Sequence, residues 1–190
     1  MIVQQTIRYP SPVLRRRGFS RKAMMDTDKD ALKIPKKLIP VKIWVHPDGL
    51  VMGEVGEIFV HLQSYHQQGE EEPVEVMNNT DAFLAMRSRT SGELRFYNKH
   101  AVVRLEHEVS PNWEEPEFIT RLGARLYLMD GSLLQGTIRE ILPPESSRLY
   151  DYINIFENRF IRLFLSDQVV TLVNKAYIVR AAEWRQLPPT

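Results

Sequence analysis

The sequence predicts a mainly β protein: two tandem copies of one small five-stranded barrel behind a basic, poorly regular N-terminal arm. Three observations predict it. First, short runs alternate apolar and polar residues and are rich in β-branched and aromatic side chains, as in Val41-Lys42-Ile43-Trp44-Val45 and Ala124-Arg125-Leu126-Tyr127-Leu128. Second, each run is followed by an Asp-Gly pair, Asp48-Gly49 and Asp130-Gly131, which supplies the positive φ of a tight hairpin. Third, the two halves align with each other.

The elements follow in order. Residues 1–37 form the arm, with Pro10, Pro12, Pro35 and the run Arg15-Arg16-Arg17. Proline removes backbone donors, so long regular structure is not expected before Phe19, and a short helix is read over 20–32. The first barrel spans 38–107. Its strands are expected at 41–45, 50–62, 82–89, 93–97 and 101–106, with Glu70-Glu71-Glu72-Pro73 as a polar loop. Residues 108–121, with Pro111 and Pro116, form a linker. The second barrel spans 122–184, with strands at 124–128, 133–141, 160–165, 169–173 and 177–182. Between them, Ser146 or Ser147 is placed to cap a short helix running through Tyr152. Residues 185–190 are a tail.

The self-alignment sets Val41–Val55 on Ala124–Ile138 without a gap, which brings Gly53 onto Gly136. Glycine inside a strand marks a bend or a close backbone approach. Met77-Asn78 matches Ile153-Asn154. Asn98-Lys99-His100-Ala101-Val102-Val103-Arg104 matches Asn174-Lys175-Ala176-Tyr177-Ile178-Val179-Arg180. Two units are too few for a solenoid, so this is a simple duplication.

Composition excludes several function classes. Hydrophobic residues are 43% and charged residues 26% of the 190, ordinary values that allow a packed core. No cysteine is present, which removes disulfide scaffolds, cysteine zinc sites and thiol nucleophiles, and suits a cytoplasmic location. No apolar run approaches the roughly 20 residues of a membrane span. Arg16-Arg17-Gly18-Phe19 lacks the apolar stretch that an export signal requires. The net charge of +1 conceals an asymmetry: residues 1–37 carry ten Lys/Arg and three Asp, and the remaining residues are net acidic. The arm therefore either grips nucleic acid, anionic lipid or an acidic partner, or folds back on its own acidic body.

The strand and turn spacings, with Arg125-Leu126-Tyr127-Leu128-Met129-Asp130-Gly131-Ser132-Leu133-Leu134-Gln135-Gly136 and Tyr97-Asn98-Lys99-His100-Ala101, resemble the Sm-like (LSm/Hfq-type) family of small SH3-like barrels. The resemblance covers about two-thirds of each copy. It implies RNA binding around the repeated turn, with Asn98, Lys99, His100, Asn174 and Lys175 lining a pseudo-hexameric ring of three chains and Arg15, Arg16 and Arg17 adding phosphate contacts. The chain departs from the family pattern in its longer loop between the second and third strands, in Lys175-Ala176 at the second copy's turn, and in the lack of an evident helix before either copy. The alternative for Asn98-Lys99 and Asn174-Lys175 is a turn signature, since Asn tolerates left-handed backbone.

Other chemistry finds no motif. His46, His61, His66, His100 and His107 show no metal-ligand spacing, so no metal and no cofactor are expected. There is no nucleophile elbow or phosphate-cradling loop, so the chain is not expected to be an enzyme, and no small-molecule substrate is evident. Aromatic candidates for stacking are Tyr65, Phe96, Tyr97, Tyr150, Tyr152 and Phe156. The expected function is a non-catalytic interaction or scaffold module that binds protein partners or its own copies. Exposed strand edges and the basic arm would do the binding, with Sm-like RNA binding as the alternative.

Overall fold

The structure, a computed structural model, describes residues 36–46, 52–64, 69–111, 113–155 and 157–184. Most of the arm, its expected helix and the 185–190 tail lie outside these residues. Strands β1 (Lys36–Val45), β2 (Met52–His61), β3 (Phe83–Ser88), β4 (Leu94–Asn98) and β5 (Val102–Glu108) form the first module. Strands β6 (Thr120–Leu128), β7 (Leu133–Glu140), β8 (Phe160–Phe164), β9 (Val169–Asn174) and β10 (Ile178–Glu183) form the second. Each module carries a short helix between its second and third strands: α1 (Pro73–Asn78) and α2 (Leu149–Ile153).

All ten strands join one antiparallel sheet in the order β10-β6-β7-β8-β9-β5-β1-β2-β3-β4. The expected mainly β class and the duplicated strand order therefore stand. Two separately closed five-stranded barrels do not appear in the pairing. Neither group of five closes on itself, because β5 spends its second edge on β9 of the other module. The described residues accordingly form one compact unit. The expected linker is shorter than 108–121, since β5 runs through Glu108 and β6 starts at Thr120.

Strand registers refine the duplication. Val41 pairs with Gly56 and Ala124 pairs with Gly136, so Gly56, not Gly53, is the counterpart of Gly136. The ungapped alignment fails because the first hairpin is longer than the second by three residues. The physical role follows the register. A Cβ on Gly136 would lie 2.3 Å from the Phe164 carbonyl oxygen, and one on Gly56 would lie 2.8 Å from the Arg87 carbonyl oxygen. At Gly53 the nearest atom would be the Trp44 indole nitrogen at an ordinary 3.4 Å. Gly56 and Gly136 thus permit the close approach of the second and third strands in each module.

Glu70–Pro73 is not only a loop. Pro73 opens α1 at the position where a missing N–H costs nothing, and the Glu75 carboxylate accepts the Glu72 N–H at 2.7 Å. That Glu-Pro-x-Glu pattern is a helix-start signal in the sequence. Helix α2 is not capped by a serine: its N-cap is Arg148, without a side-chain cap bond, and the Ser147 hydroxyl donates to the Pro144 carbonyl.

The core straddles the modules. One apolar cluster joins Val41, Ile43, Ile58, Leu84, Met86 and Leu105 of the first module to Phe160, Phe164, Val170 and Leu172 of the second. The other joins Val103 and Trp44 to Leu126, Ile138, Ile161, Leu163 and Val173. Each large apolar side chain buried in this way contributes about 1.5–3 kcal/mol. We expect Gly136→Ala and Gly56→Ala each to destabilise the chain by about 2 kcal/mol or more, and Gly53→Ala to change stability by less than about 0.5 kcal/mol, measured by denaturant unfolding.

Candidate functional site

The repeated Asn-Lys turn can be followed atom by atom. Asn98 ends β4 and its side-chain oxygen accepts the His100 N–H at 2.9 Å; Asn174 ends β9 and accepts the Ala176 N–H at 3.0 Å. Both are side-chain-closed turns, the geometry that Asn favours. Lys99 is fully buried, and its ammonium donates to the Val76 carbonyl and the Asn79 side-chain oxygen at the C-terminal end of α1. Half-buried Lys175 does the same for α2 by donating to the Ile155 carbonyl. Positive charge at a helix C-terminus complements its unpaired carbonyls. The two lysines tie each inserted helix to the turn before the last strand, and the Lys99 ammonium is not presented to solvent. His100 is exposed, and its carbonyl accepts the Tyr177 hydroxyl at 3.3 Å. Arg15, Arg16 and Arg17 lie outside the described residues.

The Asn residues differ in one respect. Asn174 is buried at the junction of the modules, where its amide donates to the Val102 carbonyl at 2.9 Å and the Lys99 carbonyl at 3.3 Å. Asn98 is exposed at the outer edge of the sheet, beside no following strand.

That contrast extends along the whole of β4. Hairpins β3–β4 and β8–β9 share a register, Phe83 opposite Asn98 and Phe160 opposite Asn174, which makes Leu94, Phe96 and Phe83 the counterparts of Val170, Leu172 and Phe160. The latter three are buried against the first module. Phe96 is instead 65% exposed, Phe83 56% and Leu94 48%. At the opposite edge, β10 carries Val179, 66% exposed, where its counterpart Val103 is fully buried. Exposed apolar side chains in a row on an edge strand are a pairing surface.

The backbone there is also directed outward. Lys99 N–H donates to Ala82 and Ser88 N–H donates to Glu93, which fixes the alternation of the β3–β4 ladder. By that alternation the peptide groups of Leu94, Phe96 and Asn98 point away from β3. On β10, the Trp184 N–H to Gly123 carbonyl bond sets the same alternation and turns those of Ala181 and Glu183 outward, up to the irregularity between Ile178 and Arg180. The edge β4 is held rigid from behind, because Arg95 donates to Glu54 of β2 at 2.6 Å and Tyr97 also bonds that carboxylate.

Behind the junction, Arg162 bridges the modules: it donates to Glu72 at 2.6 Å and to both oxygens of Glu140 at 3.0 and 3.1 Å. Burial opposes the Arg162 charge, and the two carboxylates outweigh it, raising its pKa. The cation over a ring is repeated too, Arg104 over Trp44 at 3.9 Å and Arg180 over Tyr127 at 4.0 Å.

Among the stacking candidates, Phe96 and Tyr150 are exposed, Tyr97 is half-buried and Tyr152 is buried, with its hydroxyl accepting the Arg162 N–H. Tyr65 and Phe156 lie outside the described residues. Among the described residues no three side chains gather as a metal site, and no helix is long and apolar enough to cross a membrane. The open edges were visible in the sequence only as a contrast. Val169-Val170-Thr171-Leu172-Val173 is apolar throughout, as befits a strand covered on both faces, whereas Leu94-Arg95-Phe96-Tyr97 alternates.

No family model, no curated protein and no solved structure matches this chain.

Burial lowers the Lys99 pKa from its ordinary value to about 8. In the unfolded chain the amine titrates near about 10.4. Between these values the unfolded state holds the extra proton, so the Lys99 contribution to stability rises with pH through this window and is at its least below it. We expect the stability difference between wild type and Lys99→Met to shift in favour of wild type between pH 7.5 and pH 10, read by urea unfolding at each pH (roughly the window spanned by the two pKa values).

Proposed function

We propose that the chain is a non-catalytic interaction module that binds macromolecular partners by strand addition at its two open sheet edges, β4 and β10. The observation that carries this reading is the exposure of Phe83, Leu94, Phe96 and Val179 at positions buried where the same strands meet inside the chain. Strand addition takes its affinity from backbone hydrogen bonds and its selectivity from the alternate side chains beside them. Both components stand open at β4. The burial of Lys99 and Asn174, and their use as structural ties, weighs against a base-and-phosphate pocket at the repeated turn.

Proline on an edge strand removes an outward donor and leaves the inner ladder intact. Phe96→Pro and Ala181→Pro therefore block β4 and β10 separately. In affinity purification of the full chain from its source cells, we expect partners retained by the wild type to be lost from one or both variants. The eluate should absorb as protein at 280 nm and carry no nucleic acid. Retention of every partner by both variants would exclude the edges. A co-purifying RNA released by salt, and lost on replacement of Arg15, Arg16 and Arg17 by Ala, would instead support the Sm-like alternative.

A further inference from the structure

We propose that the β10 edge selects a strand of a different protein, one that carries an acidic residue on each side of a large apolar residue, with both acids facing Arg180 and Arg125. This rests on the strand-addition reading and names the chemistry of the partner at one of its two edges.

A difference between the two modules carries the argument. In the first, Trp44 lies opposite Arg104 and Lys42 opposite Glu106. The Glu106 carboxylate thus has a cation on the neighbouring strand and another on its own. Arg104 stands 3.8 Å from that carboxylate, lies over the Trp44 ring at 3.9 Å and donates to the Ser132 hydroxyl at 3.3 Å. In the second module the register repeats, with Tyr127 opposite Arg180 and Arg125 opposite Ala182. Both cations and the aromatic ring are kept. Ala182 stands where the carboxylate was.

The result is a pair of arginines held in place without an anion. Arg180 is exposed and rests on the Tyr127 ring at 4.0 Å. Arg125 donates to the Gln135 side chain at 2.8 Å and lies 5.9 Å from the Trp184 ring. Among the described residues no carboxylate pairs with either of them. Rings and an amide orient a guanidinium but leave its charge unneutralised.

This cationic face borders an open backbone. β10 ends the sheet, and the peptide groups of Ala181 and Glu183 point outward. Side chains alternate along a strand, so Arg180 and Ala182 share one face and Ala181 takes the other. A strand added here meets these positions in turn. A carboxylate opposite Ala182 has the Arg180 guanidinium diagonally beside it and Arg125 just beyond the small alanine methyl. A carboxylate opposite Arg180 meets that guanidinium directly. Between them, the residue opposite Ala181 turns toward the second apolar cluster, on which Ala181 packs. The counterpart of Ala181 is Leu105, which faces Leu172, so the alanine leaves room for a large apolar side chain.

The pattern acid, apolar, acid reads the same in both directions and suits parallel or antiparallel addition. The open edge β4 of a second copy does not supply it, because Arg95 and Tyr97 flank Phe96 there. A nucleic acid brings negative charge but no peptide groups to pair with those of Ala181 and Glu183.

The test titrates the full chain into fluorescein-labelled peptides and follows anisotropy, with circular dichroism to confirm that each variant is folded. One peptide alternates glutamate with valine, a second glutamine with valine, a third lysine with valine; a labelled oligoribonucleotide is the fourth probe. We expect the glutamate peptide to bind about tenfold or more tightly than the glutamine peptide, with a preference that falls as salt is added, and the lysine peptide not to bind. Arg125→Gln with Arg180→Gln should remove most of that preference. Ala182→Glu restores the carboxylate within the chain and should weaken the glutamate peptide by about tenfold. Ala181→Pro should abolish binding of both the glutamate and the glutamine peptide. Equal binding of these two peptides, or a preference that ignores the Arg125, Arg180 and Ala182 variants, overturns the acidic partner, and strand addition stands if Ala181→Pro still abolishes binding. Glutamate binding that survives Ala181→Pro overturns it as well, since the acids then sit on the face without an added strand. Binding of no peptide also overturns it, and an oligoribonucleotide bound by the wild type and lost on the double glutamine variant assigns the arginines to nucleic acid instead.

Discussion

The pairing of β5 with β9 is the interaction on which the rest of this molecule depends. Through it two five-strand modules become one ten-stranded sheet, and both apolar clusters draw side chains from each module. A module of this size buries too small a fraction of its surface to be well stabilised alone. The junction supplies the missing cover, placing Phe160, Phe164, Val170 and Leu172 over the first module's core. The polar groups at the junction are matched in the same way. Asn78 and Asn174 satisfy backbone groups at its Val173 end, and Arg162 joins Glu72 to Glu140 behind it.

Because the modules are copies, satisfying one junction leaves a second unsatisfied. A head-to-tail joint between two repeats consumes one edge of each and exposes the other two. Among the described residues no further strand covers the two remaining edges. They retain Phe83, Leu94, Phe96 and Val179 in the open. The functional reading follows from this economy of edges, and the repeated turn, the more conspicuous motif in the sequence, takes a structural part.

The Asn-Lys pairs illustrate how a repeated motif misleads. The sequence placed an asparagine and a lysine in the same turn twice, a pattern consistent with a ligand pocket or with turn geometry. Which of these holds depends on where the lysine chain travels, and that is set by α1 and α2, inserted between strands two and three. Their C-terminal carbonyls attract Lys99 and Lys175 inward. Of the two helices, α1 announced itself by Pro73 and Glu75, whereas α2 begins at Arg148 without a cap bond and has no comparable local signal.

Sequence by itself determined the local rules: which segments are strands, since alternation and β-branched side chains act within a few residues, and that the strands come in two equivalent sets. It also carried the difference between a covered strand, apolar throughout at 169–173, and an edge, alternating at 94–97. Tertiary structure decided the rest. Hairpin length had to be read from paired registers, which moved the structural glycine from Gly53 to Gly56. Whether the modules close separately or share a sheet turned on the pairing of β5 with β9, strands more than sixty residues apart in the chain. No local preference encodes a contact of that range; it is selected by the apolar surface the two modules bury together.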